Sequence, residues 1–208
     1  MGFFASLLMS VFGPNKVPET LHESVQTYIQ ERLMVDADKL MKIMPKLKRA
    51  RAEVCAILVN DSMSEFEIDV TLLRQAAYLA QLAHESGELC YFEELSDGKQ
   101  YEGRKDLGNL QPGDGPRYKG RGPIQLTGRA NYRKVGTALG LNLEDDPTQA
   151  SKPSVGFRVA GYFWKSHGLN ELADAKEFEK ITLRINGGLR GLDKRKAYYE
   201  RAKEVLGA

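Results

Sequence analysis

The chain has 208 residues, of which 42% are hydrophobic and 28% are charged, and its formal net charge is +2. This composition excludes a disordered or low-complexity chain and predicts one large globular domain, alone or with a short appendage. No recognised nucleic-acid-binding motif accompanies the small net charge, so we expect no nucleic acid as a partner.

Residues 1–13 form an apolar start that is too short to span a bilayer. No Lys or Arg precedes Lys16, so the positively charged segment of a signal peptide is missing. For residues 1–13 we favour packing on the protein or disorder over a weak contact with a membrane surface.

A polar helix is predicted from Glu19 to about Leu33. Residues 1–37 are interpreted as an N-terminal appendage, and 38–208 as the main domain.

The two cysteines, Cys55 and Cys90, are too few for a disulfide framework. Cys55 lies in an apolar run and is predicted to be a buried thiol. Synthesis in a reducing cytosol is therefore expected, and a bridge between the two cysteines stays open.

Apolar side chains recur at helical spacing along most of the main domain, which predicts a mainly α fold. Pro45 is expected to end the first helix, Gly87 to cap the third, and Asp193 to be the N-cap of the last. The predicted helices are Asp36–Met44, Leu47–Asn60, Thr71–Ser86, Asn131–Leu139, Val155–His167, Phe178–Ile185 and one from near Asp193 almost to the end.

Eight of the 20 glycines lie between Gly98 and Gly128, so this segment is predicted to be a shaped loop of the kind that carries function. Within it, residues 124–127 alternate apolar and polar. This pattern predicts a short β segment with Gln125 and Thr127 on one face. The predicted architecture is two helical lobes around a cleft that is lined by the glycine-rich loop and this β segment.

Residues 99–134 hold nine basic side chains against three acidic ones. A cationic face beside a cleft would attract an anionic polymer. The same side chains could equally fix loop carbonyls or be solvated, and the sequence leaves these alternatives open.

Glu85 is the first candidate for chemistry, since it lies in the last turn of the Thr71–Ser86 helix. The helix dipole and the apolar face beside it would both raise its pKa, as a general acid requires. A partner carboxylate could come from Glu94 or Glu102, whereas Glu88 is too near. Inverting glycosidases hold such a pair roughly 6.5–9.5 Å apart so that a water fits between base and sugar.

Polar and aromatic side chains of the loop could hold a sugar. Gln125 and Thr127 offer an amide and a hydroxyl group to a water or an N-acetyl group, and three tyrosines could stack on sugar rings: Tyr101, Tyr118 and Tyr132. Neither a metal site nor a cofactor is expected, because the chain has only three histidines and lacks the paired histidines of a zinc helix.

Several of these motifs together resemble glycoside hydrolase family 19, the family of chitinases and of many bacteriophage endolysins. The resemblance covers about residues 38 to 207, and its most specific part is the block from Tyr118 to Tyr132. The matching motifs are AHESG (83–87), YEGR (101–104), DLGN (106–109), GDG (113–115), YKGRGPIQLTGRANY (118–132) and INGG (185–188).

The resemblance implies a lysozyme-like, largely α-helical catalytic domain at 38–208 with an inverting mechanism. It implies Glu85 as general acid, Glu94 as general base and Thr127 as the residue that positions the attacking water. The substrate-binding residues that it implies, or that the loop composition predicts, are Gln125, Asn131, Asn186 and Tyr118. The long insertion and the several cysteines of plant members are not obvious here. The stretch from Lys99 to Asp106 also offers Glu102 as a rival base.

We therefore expect a monomeric, endolysin-like muramidase that is made in the cytoplasm of a host cell and cleaves the β-1,4 glycan of peptidoglycan in the cell wall. The alternatives are a chitinase that acts on chitin oligomers, a lytic transglycosylase, and an inactive glycan-binding relative.

Overall fold

The structure is a computed structural model that describes residues 33–208. Residues 1–13 and nearly all of the helix predicted from Glu19 lie outside this range. The α-helices of the described range are α1 (Ala37–Ile43), α2 (Arg49–Glu65), α3 (Leu72–Glu85), α4 (Asp114–Arg117), α5 (Arg129–Leu139), α6 (Pro153–Ser166), α7 (Leu169–Asp174), α8 (Phe178–Asn186) and α9 (Leu192–Leu206). Short 3-10 helices cover Lys99–Tyr101, Lys105–Leu107 and Pro147–Ser151.

Helix α3 is the central element of the core, since every residue from Gln75 to Ala83 is buried. Its small residues let α7 and α9 pack closely against it. Thr71 caps the N-terminus by accepting a hydrogen bond from the backbone N–H of Arg74, 3.2 Å. Gly87 follows the C-terminus with φ +58°, as the capping prediction requires. A buried, capped helix therefore holds Glu85 at its end.

The other predicted helices are present with shifted ends. Asp36 caps α1, and its carboxylate accepts from the Lys39 N–H at 2.7 Å. Helix α2 runs five residues beyond the predicted end at Asn60. The described segment also contains two short helices, α4 and α7, that periodicity did not predict, because four and six residues are too few to show a helical repeat.

The prediction of Asp193 as N-cap of the last helix is wrong. Helix α9 begins at Leu192, and its N-cap is Gly191, two residues before the predicted one, in the left-handed region at φ +73°. A Cβ on Gly191 would lie 2.5 Å from Cε1 of His84, so the packing of the two helices requires glycine there.

The predicted β segment at 124–127 is instead a turn, since the described residues contain only isolated bridges between Glu93 and Arg121 and between Arg121 and Leu126. Gln125 has φ +54°, and its N–H donates to the Gly122 carbonyl at 3.1 Å. The alternation of burial is nevertheless as predicted, because Ile124 and Leu126 are buried while Gln125 and Thr127 are partly exposed.

The packed body begins slightly before residue 38. Val35 is fully buried and exchanges two hydrogen bonds with the Asn60 side chain, at 3.2 and 2.8 Å.

Cys55 and Cys90 are both free, and burial raises the pKa of the Cys55 thiol to about 11. In the described part of the chain, no helix combines the length and apolar character needed to cross a membrane.

Candidate active site

A cleft of about 370 Å³ lies beside the C-terminal end of α3. Glu85 forms part of its lining, as do the 124–127 turn, one face of α5, the last turns of α6 and the end of α8. Five predicted site residues border this cleft: Glu85, Gln125, Thr127, Asn131 and Asn186. Residues from distant parts of the sequence are therefore brought together around one cavity.

Glu85 is held by a buried arginine of α9. Its Oε1 accepts a hydrogen bond from Nη2 of Arg195, which is only 2% exposed. Nη1 of Arg195 donates to Oε1 of Gln81, one turn before Glu85, and Gln81 donates onward to Oγ1 of Thr182 at 3.0 Å. The Glu85 side chain itself stays 20% exposed. This network fixes the carboxylate at the edge of the cleft.

Arg195 was not among the predicted site residues, because it stands in a charged run at the start of α9. A signal was available: Arg195, Tyr199 and Ala202 are all buried, and their spacing of four and three residues is that of one helix face. An arginine on the inward face of a helix needs a buried partner, and a carboxylate supplies it.

We expect Arg195→Lys to lower kcat on a glycan substrate by about tenfold or more, with a smaller change in KM. Lysine keeps the charge but cannot contact Gln81 and Glu85 as a planar fork does, so Glu85 would lose its fixed orientation. Stability should fall by about 2 kcal/mol, because the guanidinium of Arg195 is buried and would lose its hydrogen-bond partners.

Kinetics and thermal unfolding of Arg195→Lys check this expectation. Arg158→Lys is the matched control, since Arg158 pairs with Glu65 at 2.7 Å in a half-exposed position. A kcat equal to that of the control would show that Arg195 does not position the acid.

Glu94 lies on the neighbouring loop and is held by three donors. Its Oε1 accepts from Nε2 of Gln100 at 2.7 Å and from the Tyr101 hydroxyl at 3.1 Å, and its Oε2 accepts from the Gly120 N–H at 3.0 Å. Burial, together with the Glu94 carboxylate, raises the pKa of Tyr101, so this hydroxyl keeps the proton that it donates.

Gly120 lies where Glu94 approaches two residues of the cleft, Gln125 and Thr127. A Cβ built on Gly120 would lie 3.1 Å from Oε2 of Glu94, 2.7 Å from Oε1 of Gln125 and 3.4 Å from Oγ1 of Thr127. The absence of a side chain at residue 120 thus lets a carboxylate, an amide and a hydroxyl converge on one small volume.

Glu102, the rival base, has a different place. Its two carboxylate oxygens accept from the N–H groups of Gly113 and Gly115, both at 2.7 Å, at the start of α4. Neither Glu102 nor Glu94 is among the residues that line the cleft, but Glu94 lies beside Gln125 and Thr127, which do line it. Glu102 therefore anchors the loop around α4, and Glu94 is the better candidate for the base.

The prediction of Tyr118 as a substrate-binding residue is wrong. Tyr118 is 1% exposed, its ring packs 5.5 Å from that of Tyr132, and its hydroxyl donates to the Glu144 carbonyl at 2.9 Å. Because the ring lies in the core, no sugar can stack on it. The aromatic side chains that do line the cleft are Tyr162 and Phe163 of α6.

This arrangement is similar to that of known glycoside hydrolases in sequence and in fold. A family profile described as chitinase class I of glycoside hydrolase family 19 matches residues 72–174. A family 19 domain-containing protein of Haemophilus influenzae is 33% identical over 161 residues, which cover 62% of this chain and 78% of the relative. An endochitinase of Arabidopsis thaliana is 42% identical over 133 residues, which cover 64% of this chain and 45% of the relative.

Two solved structures share the fold. Chitinase C of Streptomyces griseus has a TM-score of 0.70 at 23% identity and covers 85% of this chain and 94% of its own. A class IV chitinase of Zea mays has a TM-score of 0.59 at 19% identity and covers 92% of this chain and 93% of its own. The predicted mainly α, lysozyme-like fold is thereby confirmed.

Proposed function

The chain belongs to glycoside hydrolase family 19, and from this we propose that it cleaves the β-1,4 glycan of bacterial peptidoglycan by an inverting acid–base mechanism. The observation that carries the proposal is the convergence of Glu85, Gln125 and Thr127 on one cleft, with Glu94 beside the last two. On this proposal the protein is made in the cytoplasm of a host cell, which suits its two free thiols, and acts on the cell wall.

Each side chain has a role in the proposed reaction. Glu85 donates a proton to the glycosidic oxygen, and Glu94 takes a proton from the water that attacks the anomeric carbon. The Thr127 hydroxyl donates to the Gln125 carbonyl at 2.8 Å, so its oxygen lone pairs face outward to accept a hydrogen bond from that water.

The two asparagines are suited to hold the sugar. Nδ2 of Asn131 donates to the Thr127 carbonyl at 2.7 Å, which leaves its Oδ1 to accept from a sugar hydroxyl or amide. Asn186 lies at the end of α8, where its Nδ2 donates to the Gly188 carbonyl at 3.3 Å. Both contacts orient an acceptor group near the cleft.

Hydrolysis of chitin oligomers is the second candidate, because the plant relatives are named endochitinases and both polymers contain N-acetylglucosamine. The chain spans less than half the length of those plant relatives. Peptidoglycan is favoured by Lys134 and Arg184, which line the cleft, since this polymer carries carboxylates and chitin does not.

The falling turbidity of purified sacculi, measured beside the release of fragments from chitin oligomers, tests the substrate. We expect the sacculi to clear, and clearing to stop in Glu85→Gln. Release of chitin fragments with undiminished turbidity of sacculi would favour the chitinase alternative and refute the proposal.

A further inference from the structure

Most of the nine basic side chains in residues 99–134 are already bound to groups of the protein. Six of them form ion pairs with carboxylates, and Arg117 donates to backbone carbonyls. In the described part of the chain, Lys105 and Lys134 are the two without such a contact. Of the nine, only Lys134 lines the cleft. The predicted cationic face is thus reduced to one lysine at the cleft.

A second cation at the cleft comes from outside that stretch. Arg184 of α8 lines the same cavity, and its Nη1 donates to the His167 carbonyl at 2.8 Å, with no carboxylate partner among the described residues. This bond anchors one corner of the guanidinium and leaves its other donors available. Glu85, the single acidic residue among the described lining, is held by Arg195. The other two charged side chains of the lining, Lys134 and Arg184, are positive and have no carboxylate partner among the described residues.

Both cations line the cleft together with the asparagines that are proposed to contact sugar. Lys134 is three residues after Asn131 on α5, and side chains at that spacing are neighbours on a helix surface. Arg184 and Asn186 both lie in the last turn of α8, and both side chains line the cleft. A sugar ring bound at these asparagines would therefore bring its substituents within reach of the two positive groups.

Chitin and peptidoglycan differ in the charged groups that they carry. Chitin carries only hydroxyl and acetamido groups. The muramic acid of peptidoglycan carries a 3-O-lactyl arm that ends in a carboxylate or, where a stem peptide is attached, continues into acidic residues. Guanidinium and ammonium groups form charge-assisted hydrogen bonds with such carboxylates.

We propose that Lys134 and Arg184 form a subsite for the carboxylate of this side arm, and that the subsite determines the preference for muramic acid-containing glycan over chitin. The inference rests on the proposed function, because it assumes that a glycan occupies the cleft in which Glu85 lies.

The test is the double variant Lys134→Met with Arg184→Met, assayed on three substrates: intact sacculi, glycan strands stripped of their peptides, and chitin oligomers. We expect the ratio of kcat/KM on stripped strands or sacculi to kcat/KM on chitin to fall about tenfold, since each partly exposed ion pair contributes several-fold. A larger fall on stripped strands identifies the lactyl carboxylate, and a larger fall on sacculi identifies the stem peptide.

Two control variants separate charge recognition from structure. Lys105→Met removes a cation of the same stretch that does not line the cleft, and it should leave the ratio unchanged. Lys134→Arg with Arg184→Lys keeps both charges and should retain most of the preference. In the wild type, added salt should lower the ratio, because it screens exposed charges.

The outcomes that would overturn the subsite are distinct from those that would overturn the function. Cleavage of sacculi by the wild type with an unchanged ratio in the double variant, or equal losses on all three substrates, refutes the subsite alone. A wild type that cleaves chitin but neither peptidoglycan substrate refutes the proposed function, and the subsite with it.

Discussion

Glu85→Gln is expected to reduce turnover of glycan by about a thousand-fold or more, because general acid catalysis by a positioned carboxyl group contributes roughly that much. Glutamine cannot donate a proton to the leaving oxygen, yet its carbonyl oxygen can still accept from Arg195. The buried guanidinium thus keeps its partner, and we expect the fold to persist. The measurement is kcat on purified sacculi together with the thermal unfolding curve.

Glu179→Gln is the matched control for this variant, since Glu179 forms an exposed ion pair with Lys196 at 2.5 Å. The control should lose little activity and little stability. If a folded Glu85→Gln enzyme kept turnover within tenfold of the wild type, Glu85 could not be the acid.

The second large effect separates the two candidate bases. Glu94→Gln is expected to lower kcat by about a hundred-fold or more, because the attacking water would lose its proton acceptor. Glu102→Gln should instead lower stability by about 1 kcal/mol with activity within a few-fold of wild type, since one of its two oxygens would no longer accept from the loop around α4.

The two variants are to be compared side by side in kcat and in unfolding free energy. The two variants are expected to differ in kind: Glu94→Gln should lose kcat, and Glu102→Gln should lose unfolding free energy. A larger kinetic loss at Glu102 than at Glu94 would reverse the assignment of the base.

Much of the frame around the site could be predicted from local patterns. Helix α3 has small apolar residues at helical spacing, a Thr71 cap and a Gly87 end, and each of these signals acts within a few residues. The placement of Glu85 at the end of a buried helix follows from them. The burial of Ile124 and Leu126 likewise follows from a two-residue alternation.

The errors arose where distant residues decide the local structure. Alternation over 124–127 predicted a strand, but Gln125 adopts a positive φ that turns the chain. Tyr118 is an aromatic residue in a loop, which is the residue type that stacks on sugars. Only its packing against Tyr132 shows that it belongs to the core. Arg195 reaches Glu85 across 110 positions, a contact that no local pattern contains.

The most direct measurement is a digest of purified peptidoglycan with the wild-type protein, followed by mass spectrometry of the new glycan ends. Hydrolysis between Glu85 and Glu94 adds one water at each cut, so the fragments should carry reducing N-acetylmuramic acid. Fragments that end in an anhydro sugar would contradict a hydrolase built on these two carboxylates, and no fragments at all from a folded protein would contradict peptidoglycan as its substrate.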